Sequence, residues 1–348
     1  MIFIGDIACR SARQLDFPGF AAAAGTIAVA NLEGPLCATD RGWTHKVYST
    51  TALLPLLRNF SVGAVTLANN HIFDIPDSLA PTQELLVKHG IRHVGAGADL
   101  ASASAPLLLD EAGTGYALLA FGWHVIGCTP AGRHSAGTNP LHHRHVLPQI
   151  AALRAAEPSR RLIACVHWNY ELESWPQPAH RQLAHAMIDA GADAVIGCHS
   201  HCVQGIELHR GRPIVYGLGN WFMPHGEYFG GKLRYPDFTR LQLAFEYSAT
   251  GEHRCHWYRF DPQNSTLQPD GVELLAQSRR IEEFTPFAAM DADSYYEWFR
   301  RHRRKRRLLP IYRYYDADFI NRCNDAAVAW RQHGIELLKR LRLKGAPK

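Results

Sequence analysis

Nowhere does the 348-residue chain carry 18 consecutive apolar residues, so no membrane-spanning helix is expected. No basic n-region and no small-residue cleavage site follow Met1; Met1-Ile2-Phe3-Ile4-Gly5-Asp6 opens a strand at once, which points to a cytoplasmic location. The eight cysteines (Cys9, Cys37, Cys128, Cys165, Cys198, Cys202, Cys255, Cys323) contain no C-x-x-C pair, which argues for reduced thiols and against a disulfide scaffold. There is no internal repeat and no low-complexity tract. Charge of one sign is scarce outside Arg300–Arg307, a run of seven Lys/Arg without an acid; without it the net charge of +5 becomes −2. Such a run reads first as a solvated helix face, then as a contact for an acidic polymer, and no nucleic-acid fold signature accompanies it.

What remains is an ordinary globular composition, 47% apolar and 20% charged, long enough for one large α/β core or two modest domains. Five apolar runs lead directly into polar residues of ligand type. Ile2-Phe3-Ile4 precedes Asp6, and Thr26 to Ala30 precedes Asn31-Leu32-Glu33. Ala64 to Leu67 precedes Asn69-Asn70-His71 and Asp74. Leu162 to Val166 precedes His167-Trp168-Asn169-Tyr170-Glu171, and Asp193 to Ile196 precedes Gly197-Cys198-His199-Ser200-His201-Cys202. Helical patterns over Thr51–Asn59, Ser78–His89 and Pro178–Ala190 lie between the runs, which implies a mostly parallel sheet with its ligand rim beyond the strand ends. Hairpin patterns (Leu107–Phe121, Gly205–Tyr216, Arg240–Phe260) add antiparallel strands and suggest a mixed, two-sheet core. The pattern thins over Asp261–Gly271, dividing a domain 1–270 from a helical, basic extension 271–348 whose helical stretches are Val272–Phe299 and Phe319–Leu343.

If the five strand ends converge, Asp6, Glu33, Asn70, His71, Asp74, His167, Glu171, His199 and His201 meet on one rim. That mixed oxygen and nitrogen set suits Mn, Fe, Zn, Mg or Ca, one ion or two. Cys198 and Cys202 flank the histidine pair and offer a mixed Cys/His zinc site, although both fit equally as small apolar packing. Lys46 could hold an anionic substrate group. Trp168, Tyr170 and Trp175 could hold a substrate side chain or simply pack, and Glu171 could support His167. Asn220 reads as shaping the rim. His142-His143-x-His145 is a second histidine cluster outside these motifs.

The ordered set Gly5-Asp6, Asn31-Leu32-Glu33-Gly34-Pro35, Leu67-Ala68-Asn69-Asn70-His71, His167-Trp168, Gly197-x-His199-x-His201 and Tyr216-Gly217-Leu218-Gly219-Asn220 resembles the CapA (PgsA, poly-γ-glutamate capsule synthesis) family, a branch of the calcineurin-like metallophosphatases. The resemblance covers residues 1 to 225 and implies an α/β/β/α sandwich. It implies Asp6, Glu33, Asn70, His167, His199 and His201 as metal ligands, with Glu33 in the bridging position. His71 then stands as general acid with Asp74 orienting it, and His167 also belongs to the catalytic set; Lys46, Trp168, Tyr170 and Glu171 are left for substrate. The sequence departs from the superfamily where Ile7 and Ala8 follow Asp6, since Asp-x-His is usual there, and where Glu33 replaces an aspartate. One metal is therefore as consistent as two. The resemblance implies capsule or surface-polymer biosynthesis, with phosphoester-type hydrolysis as the superfamily reaction. Peptide epimerases acting on lasso-peptide precursors resemble the same branch, and a non-catalytic biosynthetic scaffold is a third reading. The implied partner is an anionic polymer precursor or a peptide.

Overall fold

The structure, a computed structural model, describes residues 1–11, 26–304 and 309–340. Two sheets lie face to face. The larger has eight strands, running Thr266–Leu274, Arg254–Asp261, Leu241–Glu246, Ile2–Ile7, Ala28–Leu32, Val62–Thr66 and Arg92–Val94, with Asn220–Phe222 paired to the end of Ile2–Ile7. The smaller runs Ile206–His209, Arg212–Val215, Ala194–Cys198, Arg161–His167, Thr114–Gly122 and Leu107–Glu111. The strands that end at the candidate rim are parallel to their neighbours: Ile2–Ile7 beside Ala28–Leu32, that strand beside Val62–Thr66, and Arg161–His167 beside Ala194–Cys198. The hairpins supply the antiparallel outer strands.

Alternation along a strand explains the layering. Met1 and Phe3 point to the core between the sheets, with Leu118, Ile163, Ile196 and Trp257, while Ile2 and Ile4 point to an outer core under helices Leu54–Asn59 and Leu79–Lys88. The smaller sheet sends Leu119, Phe121 and Val166 to its own outer core, beneath helices His143–Ala156 and Pro178–Asp189. Helix, sheet, sheet and helix form the α/β/β/α sandwich that the resemblance implied. Burying each large apolar side chain of this kind is worth about 1.5–3 kcal/mol, which is why the three cores hold the strand ends still.

The structure departs from the sequence reading in three places. Helix His143–Ala156 has no counterpart in the sequence reading; its apolar face, Val146, Ile150 and Leu153, is interrupted by Pro148 and preceded by histidines. Strand Thr266–Leu274 runs across the boundary placed at 270/271, because it completes the antiparallel ladder with Arg254–Asp261. Helix therefore begins only at Arg279–Phe284, followed by Ala292–His302 and Asp318–Arg340. Phe287, Tyr295, Phe299 and Tyr312 of this segment pack into the smaller sheet's outer core.

The basic run is not simply a solvated face. Arg300 pairs with Glu297, but Arg303 is buried and donates to the Leu309 carbonyl at 3.0 Å. The Arg304 backbone N–H donates to Glu173 Oε1 at 3.0 Å. Lys305, Arg306 and Arg307 lie outside the described residues. No helix among the described residues is long and apolar enough to cross a membrane.

Candidate metal centre

The five strand ends deliver their side chains to one place. Gly5 is the device at the first of them: a Cβ there would lie 1.9 Å from the Gly219 carbonyl oxygen, so only glycine lets the Asn220 strand close against Asp6. At the last, His199 and His201 both adopt left-handed backbone (φ 92° and 55°). Strain of about 1–3 kcal/mol per residue is characteristic of functional loops and turns both rings inward here.

The buried polar groups fall into two sets. In the first, His167 Nε2 lies 2.7 Å from Asn70 Oδ1 and 3.1 Å from His199 Nδ1, with Glu33 Oε1 3.8 Å away. The ligand atoms of Glu33, His167 and His199 lie within 4.8 Å of one another. In the second, Asp6 Oδ2 faces His201 Nδ1 at 3.1 Å, and that same nitrogen lies 2.8 Å from Asn220 Oδ1. Asn31 joins the sets, donating from Nδ2 to Asp6 Oδ1 at 2.8 Å and to Glu33 Oε2 at 2.6 Å.

Hydrogen-bond satisfaction tells the sets apart. Both Asp6 oxygens are occupied, Oδ1 by Asn31 and Oδ2 by His201 and the His199 N–H at 3.3 Å. Glu33 Oε1 is buried with no partner, facing His167 and, at 3.9 Å, His71 Nε2. A lone buried carboxylate oxygen costs about 1–3 kcal/mol or more. A cation with bonds of about 2.0–2.2 Å holds neighbouring donors about 3 Å apart, close to the spacings of Asn70, His167 and His199. These residues fit a divalent ion.

The electrostatics agree. Burial and the Asp6 charge push the Glu33 carboxyl up to about 7. Burial holds His167 down to about 3, and burial with its histidine neighbours takes His199 well below the ordinary value, so both are neutral and able to ligate. Burial opposes protonation of His201 also, but its bond to Asp6 and that carboxylate's charge outweigh it and raise it to about 9. Asp6 is correspondingly low, burial being overcome by His201.

His71 sits at the mouth, its Nδ1 3.0 Å from Asp74 Oδ2. Burial disfavours its charged form, yet the Asp74 bond and the charges of Glu33 and Asp74 prevail and raise its pKa. Asp74 Oδ2 also accepts the Val47 N–H at 2.8 Å, and Lys46 Nζ stands 3.9 Å from Asp74 Oδ1 at the exposed edge.

Above lies an open cavity of about 380 Å³, lined among others by Asn70, His71, Tyr170, Glu171, His199 and His201. Tyr170 is almost wholly buried and donates its hydroxyl to the Pro310 carbonyl at 3.3 Å. Trp168 does not reach the cavity: it is fully buried, its Nε1 donates to the Tyr216 carbonyl at 2.9 Å, and its ring stacks on His180. Its position right after the strand's last residue turns it into the outer core. Trp175 packs on Phe287 and Trp298 instead. Glu171 does not support His167, whose Nδ1 is buried without a partner. Cys198 and Cys202 are buried packing groups, and all eight cysteines are free of disulfides.

Sequence reasoning missed four contributors. Asn31 was visible only as part of a motif, and Asn220 was assigned to shape alone. Tyr235 lines the cavity and packs on His201 at 5.0 Å between ring centroids. Arg331 comes from the C-terminal helix, together with Val328 and Gln332, and no local signal ties that helix to the rim.

Residues 18–224 match the model of the family described as bacterial capsule synthesis protein PGA_cap. The PGA biosynthesis protein CapA of Bacillus subtilis (strain 168) is 27% identical over 246 residues, covering 70% of this chain and 60% of that protein. A probable polyglutamine synthesis accessory protein of Mycobacterium tuberculosis (strain ATCC 25618 / H37Rv) is 33% identical over 177 residues, covering 48% of this chain and 47% of its own. The chain thus spans about half the length of these relatives. Among solved structures, a hypothetical protein from Thermus thermophilus aligns with 78% of this chain and 96% of its own at 16% identity and a TM-score of 0.41. A 5'-nucleotidase precursor from the same organism aligns with 63% of this chain and 39% of its own at 12% identity and a TM-score of 0.33.

Proposed function

The chain belongs to the bacterial capsule synthesis protein (PGA_cap) family, and we propose that it is a metal-dependent acid–base enzyme acting on an anionic precursor of a capsule or related surface polymer. One observation carries this reading. Glu33 Oε1 is a buried carboxylate oxygen without a partner, facing neutral imidazoles. Glu33, Asn70, His167 and His199 would hold the ion. A divalent cation at that position supplies polarisation of a substrate oxygen and a more acidic water.

The chain's own residues would do the rest. Asp74 fixes the His71 ring through Nδ1, which leaves Nε2 3.9 Å from Glu33 Oε1, beside the candidate ion position at the cavity floor. The raised pKa of His71 suits a proton donor to a leaving group near neutral pH. Arg331 brings a fixed positive charge to the cavity wall and fits an anionic substrate. Val125, Ile126, Met223 and Leu233 make the remaining wall apolar and limit water. Phosphoester-type hydrolysis is the reaction this favours by family.

A second reading has its own support. Asp6 and His201 satisfy each other, which leaves one cation-sized gap at the strand-end rim, the one that Glu33 Oε1 faces. One metal beside the His71–Asp74 pair fits removal and return of a proton at a peptide α-carbon, an epimerisation. The test begins with metal content per chain after chelation and reloading, followed by two assays on the loaded protein. Phosphate release from phosphoesters supports hydrolysis; deuterium uptake into peptides in D₂O supports epimerisation. A protein that retains no ion loses both readings and leaves the non-catalytic scaffold.

A further inference from the structure

We infer that a second divalent-cation site lies where helix His143–Ala156 meets the C-terminal helix Asp318–Arg340, built from His142 Nε2, His143 Nε2 and Asp318 Oδ1, and that it clamps the C-terminal helix to the core. The three ligand atoms lie within 4.8 Å of one another. His143 Nε2 is 2.8 Å and His142 Nε2 is 3.7 Å from Asp318 Oδ1. Donors around a zinc-sized ion stand about 3 Å apart, so small adjustments of the exposed His142 ring and the half-buried His143 ring would complete the site. The rings are neighbours in sequence, with centroids 4.7 Å apart and planes tilted by 32°, and both face the same carboxylate. Two imidazoles and one carboxylate suit Zn²⁺, Co²⁺ or Ni²⁺ in preference to Mg²⁺ or Ca²⁺.

The surroundings leave room for the ion's remaining ligands. A cavity of about 650 Å³ adjoins the three residues, lined also by His124, Asn321 and Asp325, so water has access. Arg144 pairs with Oδ2 of Asp318 and leaves Oδ1 to the imidazoles. Two existing bonds compete: the ion would replace the hydrogen bond between His143 Nε2 and Asp318 Oδ1 at 2.8 Å, and His142 Nδ1 accepts the Arg144 N–H at 3.3 Å. Metal at Nε2 would move the His142 proton to Nδ1 and give up that long cap, a small loss beside a metal–imidazole bond.

Position gives the site its consequence. Asp318 is the first residue of the helix whose Val328, Arg331 and Gln332 line the other cavity. Between them, Asp325 meets His124 at 3.0 Å and accepts the Tyr312 hydroxyl at 2.7 Å. An ion on Asp318 therefore fixes the near end of a wall of the candidate catalytic cavity. Asp318 lies beyond residues 18–224 while His142 and His143 lie within them, so the clamp joins this chain's C-terminal extension to the family core.

The test uses the full-length protein, stripped by chelator and reloaded with Zn²⁺ or Co²⁺. The wild type should retain one equivalent more than the double variant H142A/H143A, with Co²⁺ visible absorption beyond that of the Glu33 centre, which the variant keeps. His199→Ala should keep this equivalent while losing the one at the Glu33 centre, which separates the two sites. Zn²⁺ should slow hydrogen exchange in residues 318–338 about tenfold or more in the wild type and in His199→Ala, but not in H142A/H143A. Asp318→Asn gives the same reading should the double variant fold poorly. Equal metal content in wild type, H142A/H143A and Asp318→Asn overturns the proposal, as does unchanged exchange of the helix on loading.

Discussion

His180 shows how far burial alone can set a side chain's chemistry. It lies between Trp168 and Trp123, bonded through Nδ1 to Asn169 Oδ1 at 2.8 Å, and burial holds its pKa down to about 3. Below a pH of about 6.5 the unfolded chain binds a proton that the folded chain refuses, so this residue's contribution to stability is lost as pH falls. The slope is about 1.4 kcal/mol per pH unit. Between pH 7 and pH 5, His180→Gln should therefore lose about 2 kcal/mol less stability than wild type in urea titrations; equal losses would mean the imidazole titrates freely. At the mouth of the candidate centre, His71→Ala should leave bound metal unchanged and slow turnover about 10²–10⁴-fold, the usual reach of a general acid. Metal analysis and initial rates check both halves. The residues that sequence reasoning undervalued, Asn31 and Asn220, are neutral amides whose importance is relational: Asn31 matters because two carboxylates end up on either side of it.

At the level of elements, the parallel strands were legible because each is an apolar run of five to seven residues bounded by turn or ligand residues. The helices Leu79–Lys88 and Pro178–Asp189 were legible for a similar reason, with Pro178 in the first turn of the latter. Helix His143–Ala156 was not, because Pro148 and the polar residues around it blur a stripe that only the sheet beneath makes meaningful. Strand Thr266–Leu274 was obscured likewise: it carries Pro269 and Gly271, and its pairing with Arg254–Asp261 follows a register, shifted between Trp257 and Tyr258, that only the ladder specifies. The close approach of strands at the site offers a direct test. Gly5→Ala places a methyl 1.9 Å from the Gly219 carbonyl oxygen, so the Asn220 strand must retreat from Asp6. It should cost at least about 2 kcal/mol in urea unfolding and reduce metal retention at the Glu33 centre.

Across the whole molecule, the C-terminal segment is part of the sandwich's outer layer. Tyr312 is buried, its ring edge-on to Trp123 at 5.0 Å and its hydroxyl on Asp325, so it joins the smaller sheet's outer core to the C-terminal helix. Tyr312→Ala should lower stability by about 3 kcal/mol and speed hydrogen exchange in the C-terminal helix, while the strand-end ligands keep their metal. Loss of metal in that variant would mean the extension shapes the centre itself and not only its cavity.

Sequence alone was enough for the layered α/β architecture and for the ligand-type residues at five strand ends, because hydrophobic period and residue chemistry are local properties. Which of those residues stand close enough to share an ion was decided only in three dimensions. Asp6 and His201 spend their hydrogen-bonding capacity on each other, while Glu33 Oε1 is left facing His167 and His199. That division, the burial of Trp168 and the arrival of Arg331 from a helix far downstream all depend on which groups exclude water from which others, and only the packed chain settles that.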